Sequence, residues 1–315
     1  MIIHLKHSNI DKQKWNKVVE KSYLTRVYLF SWYLDIVSPN WEALVSDDEY
    51  SSFFPLPVKH KFGIKYLVQP LFVQQLGAFG QQYDENFLRE CCVYIKKHYL
   101  YSNINYNELC FRWLNNSDIH YQTKNNIILN IISDADNLNE NNSVSDANLL
   151  YEQVRKNYHE NAKRNISKFA KSDCFIEYSV GKFSSIIDLY RKNNTKHRLT
   201  EQHYVVIEKL VKEAVLQDRL SVVTAVRGNE IVAGAIFLRS ARTWTYIFSG
   251  NSDYGKTIGA AAAIIDAFIK ANITKIDIID FEGSNDANLA HFYLGFGGET
   301  ACYANVLRKG PVFIW

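Results

Sequence analysis

The sequence predicts an α/β chain in which mixed, mostly antiparallel sheets are flanked by helices. Three β-type segments follow one another in the second half, and short polar turns join them, which is typical of an antiparallel meander. These segments are 220–228, 231–240 and 243–251. Amphipathic segments that predict helices stand on both sides of the meander. We therefore expect a sheet with helices packed against it.

A polar segment divides the chain into two parts. Residues 133–148 are rich in Asn, Asp and Ser and hold almost no large apolar side chain, so they bury too little surface to join a core. We expect a linker or surface loop here. It would separate an N-terminal domain, residues 1–140, from a C-terminal domain, residues 149–315.

The C-terminal half has the clearer order of predicted elements. A basic helix at 149–172 and two further helices at 181–194 and 200–218 precede the meander. Thr200 is the expected N-cap of the third helix. After the meander we expect a helix, a buried strand, a short helix and a last strand, at 258–272, 275–283, 288–296 and 301–309.

The N-terminal half repeats this order more loosely. An early strand and two helices are followed by β-rich material, a helix at 84–100 and two final strands at 106–114 and 125–132. The same plan in both halves predicts two copies of one α/β fold.

Composition excludes several classes of protein. The net charge of +3 gives no global field that would attract DNA or a membrane, so any basic site is local. The five cysteines form no C-x-x-C pair, which indicates reduced thiols in a cytoplasmic protein and no metal site. The N-terminus is too polar for a signal peptide, and no uncharged apolar run approaches the ~18 residues of a membrane span.

One stretch, GNSDYGKTIGAAAA at 250–263, has two interpretations. Gly250 to Thr257 match the Walker A pattern, whereas Lys256 to Ala261 approximate the pyrophosphate loop of N-acetyltransferases. Both interpretations need backbone N–H groups at a helix N-terminus. The preceding meander is not the parallel sheet of a nucleotide-binding fold, which favours the acyl-donor loop. A P-loop nucleotide-binding protein is kept as an alternative.

The order of elements and two motifs resemble the GNAT family of N-acyltransferases. Lys256, Gly259 and Ala261 occupy the family's R/Q-x-x-G-x-G/A donor loop, with lysine in place of arginine or glutamine. Asn288, Ala290, Tyr293 and Gly297 have the spacing N-x-A-x-x-Y-x-x-x-G. This is similar to the GNAT signature in which a tyrosine follows the fifth strand and faces the donor sulfur.

A narrower resemblance covers residues 280–298, DFEGSNDANLAHFYLGFGG. They look like the C-terminal strand, turn and helix of Fem-type peptidoglycan aminoacyltransferases, and Arg164, Ile166 and Lys168 resemble a basic segment of that branch. The resemblance implies two tandem GNAT-like domains. It also implies transfer of an acyl group from acyl-CoA or aminoacyl-tRNA to an amine, such as that of a small molecule or a cell-wall precursor, with no tightly bound cofactor.

The resemblance further implies a donor site in the C-terminal domain. The strand backbone that polarises the donor carbonyl would be that of Phe248, Ser249 and Gly250. The remaining donor-binding positions would be Gly255, Lys256, Thr257, Gly259, Ala260, Ala261 and Asn288. Tyr293 is the candidate general acid and Glu282, at the end of a strand, the candidate base. Core packing of Tyr293 and a capping role for Glu282 are the structural alternatives.

Acceptor-side residues are less well defined. Trp244, Tyr246 and Phe248 alternate along one strand, so Tyr246 would line an acceptor groove or pack in the core. Arg164 lies on the basic helix, which would hold phosphates of a tRNA or carrier, or be a solvated face. In the N-terminal domain Lys65 and Tyr66 are candidate acceptor contacts. A GNAT-shaped protein that binds a ligand or partner without catalysis is a second functional alternative.

Overall fold

The computed structural model describes residues 2–131, 144–193, 199–282 and 285–310. Its strands are β1 (Ile3–Leu5), β2 (Glu42–Val45), β3 (Ser52–Leu56), β4 (Val58–Lys61), β5 (Ile64–Val68), β6 (Phe79–Gly80), β7 (Tyr101–Tyr106), β8 (Gln122–Asn130), β9 (Cys174–Tyr178), β10 (Leu220–Arg227), β11 (Glu230–Ser240), β12 (Thr243–Asn251), β13 (Ile278–Asp280) and β14 (Glu299–Lys309). Its α-helices are α1 (Lys12–Glu20), α2 (Ser31–Val37), α3 (Glu85–His98), α4 (Glu108–Leu114), α5 (Val144–Lys156), α6 (Glu160–Ala170), α7 (Phe183–Asn193), α8 (Glu201–Leu216), α9 (Asp253–Ile258), α10 (Ala260–Asn272) and α11 (Ala287–Leu294).

Two compact units make up the described chain. Unit 1 contains residues 2–125 and 301–310, and unit 2 contains residues 126–300 apart from the gaps. The predicted domains divide the chain sequentially, whereas the units exchange segments. The described end of the first half, 126–131, belongs to unit 2, and most of β14 belongs to unit 1.

Unit 1 has two sheets. One runs β1-β2-β3-β6 with antiparallel pairs. The other runs β4-β5-β7-β14, with β5 parallel to β7 and the remaining pairs antiparallel. The indole rings of Trp15 and Trp41 lie 4.8 Å apart in the core. Phe53 packs edge-on against Trp15, also at 4.8 Å.

The strands of unit 2 run β8-β13-β12-β11-β10-β9. Only the β12–β13 pair is parallel among these described strands. α10 packs on one face of this sheet, where Phe268 stacks on Phe237 at 3.7 Å, and α7 packs on the other face against β11 and β12. The predicted class, a mixed and mostly antiparallel sheet flanked by helices, is therefore confirmed. β9 is a strand that the sequence pattern did not predict.

The helix predicted at 149–172 is in fact two helices. α5 begins at Val144, inside the predicted polar linker, and ends at Lys156; α6 begins at Glu160. The helix is interrupted between Lys156 and Glu160 because the His159 amide donates to the carbonyl of Gly295 at 2.9 Å and Tyr158 packs edge-on against Phe296. The rest of the predicted linker, 133–143, lies outside the described residues.

A second difference concerns the predicted strand at 106–114. Residues 108–114 form α4, and the strand is β7, directly before it. Asn107 caps the helix, since its side chain accepts from the Cys110 amide at 3.0 Å. Cys110 and Leu114 are buried on the same helical face, which is the spacing of a helix rather than of a strand.

Candidate functional site

A β-bulge shapes the end of β12. Tyr246 lies opposite Phe237 on β11, but Phe248 lies opposite Ile236, so Ile247 is an extra residue. Tyr246 consequently faces α10, whereas Phe248 faces α7, where its ring lies 4.6 Å from that of Tyr190. The prediction that Trp244, Tyr246 and Phe248 share one face is wrong, because the bulge shifts the alternation by one residue.

β12 and β13 separate just before the bulge. Their parallel pairing covers Thr243 to Thr245 on β12 and ends with the pair Thr245–Asp280. β12 continues to Asn251, paired among the described strands only with β11. The chain after β13 instead follows β8, because the Phe281 amide donates to the carbonyl of Ile127 at 3.0 Å. The backbone of β12 beyond Thr245 is thus a strand edge beside an opening in the sheet.

Tyr293 of α11 is buried beside this opening. Its ring stacks on Phe281 at 4.5 Å and lies edge-on to Tyr246 at 5.9 Å. Burial raises the pKa of Tyr293 well above its usual value, and the nearby Tyr246 and Glu282 raise it further. The phenol is therefore fully protonated at neutral pH. Within the described ranges its hydroxyl makes no hydrogen bond to protein.

Tyr246 and Ser249 lie on the same side of β12 as Tyr293. Burial raises the pKa of Tyr246 to about 12, and a hydrogen bond between the Tyr246 and Ser249 side chains opposes that shift. Ser249 lies opposite Ala235, one of the residues packed around α10. The bulge thus brings Ser249 onto the face of Tyr246 and Tyr293, and it leaves Phe248 and Gly250 on the opposite face, under α7.

Glu282 stands at the end of β13 in a left-handed conformation, with φ of 44°. Non-glycine residues seldom adopt this conformation. Its amide donates to the Oδ1 atom of the buried Asp280 at 3.1 Å, and the same oxygen accepts from the Asn126 side chain at 2.8 Å. Asp280 therefore fixes the turn that brings the half-buried Glu282 close enough to raise the pKa of Tyr293.

The predicted donor loop is largely helical. Ser252 caps α9 by accepting from the Gly255 amide at 3.0 Å, and Lys256 donates to Asp253 one turn away at 2.8 Å. The Thr257 hydroxyl donates to the carbonyl of Tyr254 at 2.7 Å. Gly255 is buried, and a Cβ placed on it would lie 2.5 Å from the carbonyl oxygen of Val232. The polar groups of these residues therefore bond within α9, and Gly255 packs against β11.

The start of α10 is covered by α6. Gly259, which separates α9 from α10, has φ of 76°, and a Cβ on it would lie 2.5 Å from the carbonyl oxygen of Asn165. Ala260 is fully buried and Ala261 half-buried. An anion bound at a helix N-terminus needs open space beside the first N–H groups. The residues predicted to hold a pyrophosphate therefore lie against the backbone of another helix.

Asn288 and Arg164 are both exposed. The Asn288 amide donates to Asp286 at 2.9 Å, because Asp286 is the N-cap of α11. Arg164 donates to Asn161, one turn earlier on α6, at 2.8 Å. Lys156 at the end of α5 and Lys168 and Lys171 at the end of α6 are also exposed, and Lys163 pairs with Glu160 at 3.2 Å. The ends of α5 and α6 thus present several cations and few acids to solvent.

Lys65 and Tyr66 point to opposite faces of β5, as neighbours in a strand do. Lys65 donates to the buried Glu42 at 2.7 Å, and His4 contacts the other carboxylate oxygen of Glu42, also at 2.7 Å. The ring of Tyr66 lies edge-on to Tyr101 at 6.4 Å. Burial raises the pKa of Glu42, but the hydrogen bonds from His4 and Lys65 outweigh it and lower the pKa to about 2.

We expect Lys65→Met to destabilise the protein by about 1–3 kcal/mol at neutral pH, because the buried Glu42 carboxylate loses a donor. The lowered pKa means that this pairing stabilises above pH 4.5 and is lost as the pH falls towards about 2. Urea unfolding between pH 7 and pH 2.5 measures it. The deficit of the variant should shrink with falling pH; a deficit that is constant with pH would contradict this role of Lys65.

Two positions that shape this region were absent from the predicted site. Ser252 caps the helix that forms where a loop was predicted. The sequence pattern that could have indicated this cap is a serine directly before a helix-compatible run and three residues before Gly255. Asn165 closes the start of α10 with its backbone, which no sequence pattern displays, because the contact is made by main-chain atoms of a distant segment.

Comparison with known proteins identifies the fold. No protein-family model matches the chain, and no curated protein is significantly similar to it. The crystal structure of FemX has 8% sequence identity and a TM-score of 0.65, over 97% of both chains. A conserved protein of unknown function from Bacteroides thetaiotaomicron has 11% identity and a TM-score of 0.60, over 95% of this chain and 97% of the other.

A third similar structure is the C-terminal DUF2156 domain of a protein described as a lysylphosphatidylglycerol synthetase from Agrobacterium fabrum. It has 8% identity and a TM-score of 0.55, over 95% of this chain and 92% of the other. At these identities the likeness concerns the fold. The predicted Fem-type fold is confirmed, since the chain shares the fold of FemX over nearly its whole length.

No helix in the described ranges combines the length and the apolar character that a membrane crossing needs.

Proposed function

We propose that the protein is an acyltransferase whose donor carbonyl binds at the opening between β12 and β13. The observation that carries this proposal is the end of parallel pairing at Thr245–Asp280, directly beside the buried phenol of Tyr293. A strand edge supplies backbone N–H groups that polarise a carbonyl, and a protonated phenol supplies the proton for a leaving group.

The proposed reaction balances with the groups in this site. An amine nitrogen attacks the donor carbonyl carbon, and the bond from that carbon to the leaving sulfur or oxygen breaks. Glu282 takes a proton from the amine, directly or through water, and Tyr293 gives a proton to the leaving atom. The high pKa of Tyr293 suits an acid that stays protonated at neutral pH and accepts a proton again after transfer.

Among the possible donors we favour an aminoacyl-tRNA, with acyl-CoA as the second candidate. The backbone of Asn165 lies close to Gly259 at the start of α10, which leaves little room there for the pyrophosphate of a CoA thioester. The exposed cations at the ends of α5 and α6 suit the phosphates of a nucleic acid. The acceptor would be a primary amine, such as that of a cell-wall precursor.

Donor binding tests the proposal directly. The protein is titrated with a pool of tRNAs charged with radiolabelled amino acids and, separately, with acetyl-CoA, and label transfer to a pool of primary amines is followed. We expect salt-sensitive binding of charged tRNA and transfer of the label. Lys168→Gln with Lys171→Gln should weaken tRNA binding, whereas the matched pair Lys209→Gln with Lys212→Gln on α8 should not. Failure to bind or transfer from either donor would rule out the function.

A further inference from the structure

The hairpin formed by β4 and β5 in unit 1 has an unusual tip. Lys61 pairs with Ile64, so the turn contains only Phe62 and Gly63. Both residues are left-handed, with φ of 50° and 76°, which is the conformation of a type I′ turn. The first position of such a turn normally holds Asn, Asp or Gly, because these residues tolerate positive φ. Phenylalanine at this position therefore destabilises the turn.

The side chain of Phe62 lies outside the protein core, and its ring is 5.6 Å from the ammonium of Lys61. It is 88% exposed, the most exposed aromatic side chain in the described parts of the chain. An aromatic residue that is both strained at its backbone and open to water is not explained by the stability of the hairpin. It is explained if the ring enters an apolar environment outside the protein.

The sheet face next to the tip is apolar. Because Lys59 pairs with Tyr66 and Leu67 pairs with Ser102, the side chains of Ile64, Tyr66 and Val68 share a face with Tyr101, opposite the buried Leu67. These side chains and Phe62 line an open groove of about 320 Å³. The two lysines that border it are Lys61 and Lys309.

The charge of this face has one sign. The segments that build it, 58–68, 101–106 and 301–309, contain no Asp or Glu. Lys59, Lys61 and Lys309 are exposed on the apolar side, since they pair with Tyr66, Ile64 and Tyr101. Lys65 is directed to Glu42 and Arg308 to the carbonyl of Tyr99. An apolar surface with a wholly basic rim is complementary to an anionic lipid surface.

We propose that unit 1 docks on an anionic lipid bilayer through the β4–β5 hairpin. Phe62 and Ile64 enter the acyl-chain boundary, Tyr66 and Tyr101 lie at the level of the headgroups, and Lys59, Lys61 and Lys309 contact lipid phosphates. The inference stands independently of the proposed transferase activity, because it uses no residue of unit 2.

Sedimentation with lipid vesicles tests the inference. The full chain is mixed with vesicles of phosphatidylcholine alone and of phosphatidylcholine with phosphatidylglycerol. We expect binding to the anionic vesicles only. Phe62→Asn should weaken it about tenfold through the lost apolar contact, while Tm stays equal or rises because Asn suits the turn. The triple change Lys59→Gln, Lys61→Gln, Lys309→Gln should weaken it by about a hundredfold and flatten its salt dependence.

Matched controls lie in unit 2. Leu216→Asn removes a 79% exposed apolar side chain, and Lys209→Gln with Lys212→Gln removes exposed lysines, so these variants should bind vesicles like the unaltered protein. A variant lacking residues 311–315 should also bind. The inference is overturned if the protein ignores anionic vesicles, if Phe62→Asn binds equally well, if removal of 311–315 alone abolishes binding, or if the controls lose as much as the hairpin variants.

Discussion

Replacement of Tyr293 by Phe is expected to lower the rate of acyl transfer by about 100-fold or more while the fold stays intact. The ring can still stack on Phe281 and meet Tyr246, so the packing that surrounds it is kept. What is lost is the only proton that this buried side chain can give to a leaving sulfur or oxygen. Single-turnover transfer from a labelled donor, with donor saturating, measures the chemical step apart from binding.

Tyr204→Phe on α8 is the matched control. Tyr204 is also a buried tyrosine, and its ring packs against Tyr190 and under the guanidinium of Arg191, remote in sequence from the β12–β13 opening. Its transfer rate should stay within a few-fold of that of the unaltered protein. Equal rates for Tyr293→Phe and Tyr204→Phe would mean that the phenol of Tyr293 only packs. Donor affinity should be unchanged in both variants, which separates loss of chemistry from loss of binding.

Gly250→Ala is expected to destabilise unit 2 by about 1–3 kcal/mol through overpacking. A Cβ on Gly250 would lie 2.5 Å from the carbonyl oxygen of Ile186 and 3.0 Å from the amide nitrogen of Tyr190. These are backbone atoms of α7, so relief requires movement of the helix away from β12. The midpoint and slope of urea unfolding measure the loss of stability. The transfer rate shows whether the movement of α7 away from β12 also disturbs the proposed site.

Two other glycines calibrate that result. A Cβ on Gly234 would meet the side chains of Ile186, at 2.5 Å, and Thr224, at 3.3 Å, and side-chain atoms shift more readily than the backbone of a helix. A Cβ on Gly181 would meet nothing within 4 Å. We therefore expect the order Gly250→Ala, Gly234→Ala, Gly181→Ala from most to least destabilising. A smaller effect at Gly250 than at Gly234 would show that α7 does not lie against β12 as described.

Local patterns predicted most of the elements in unit 2. The meander became β10, β11 and β12, and the helix after Thr200 begins where its N-cap was expected. The order of elements around Tyr293 led to the Fem-type fold that comparison of structures supports. These features depend on residues close in sequence, so their periodicity and turns are visible without coordinates.

What the sequence did not predict depends on distant residues. The extra residue at Ile247 is invisible in a strand that appears to alternate regularly, because a bulge is defined by the partner strand. The covering of Gly259 by Asn165 joins segments almost a hundred positions apart through backbone atoms. Glu282 was predicted from its place at a strand end, but its left-handed turn is held by Asp280, which also accepts from Asn126 of a distant segment.

The exchange of segments between the units bears on biosynthesis. β14 pairs with β7 along Ala304–Lys309, so a strand of unit 1 is translated only after the whole of unit 2. The nascent first part therefore leaves the ribosome with β7 lacking that neighbour, and the gap closes only after a very long stretch of polypeptide has followed. Cutting the gene in the polar segment near its middle would separate β7 from β14 and β8 from β13, so that of the described sheets only the β1-β2-β3-β6 sheet would stay whole, in the N-terminal fragment.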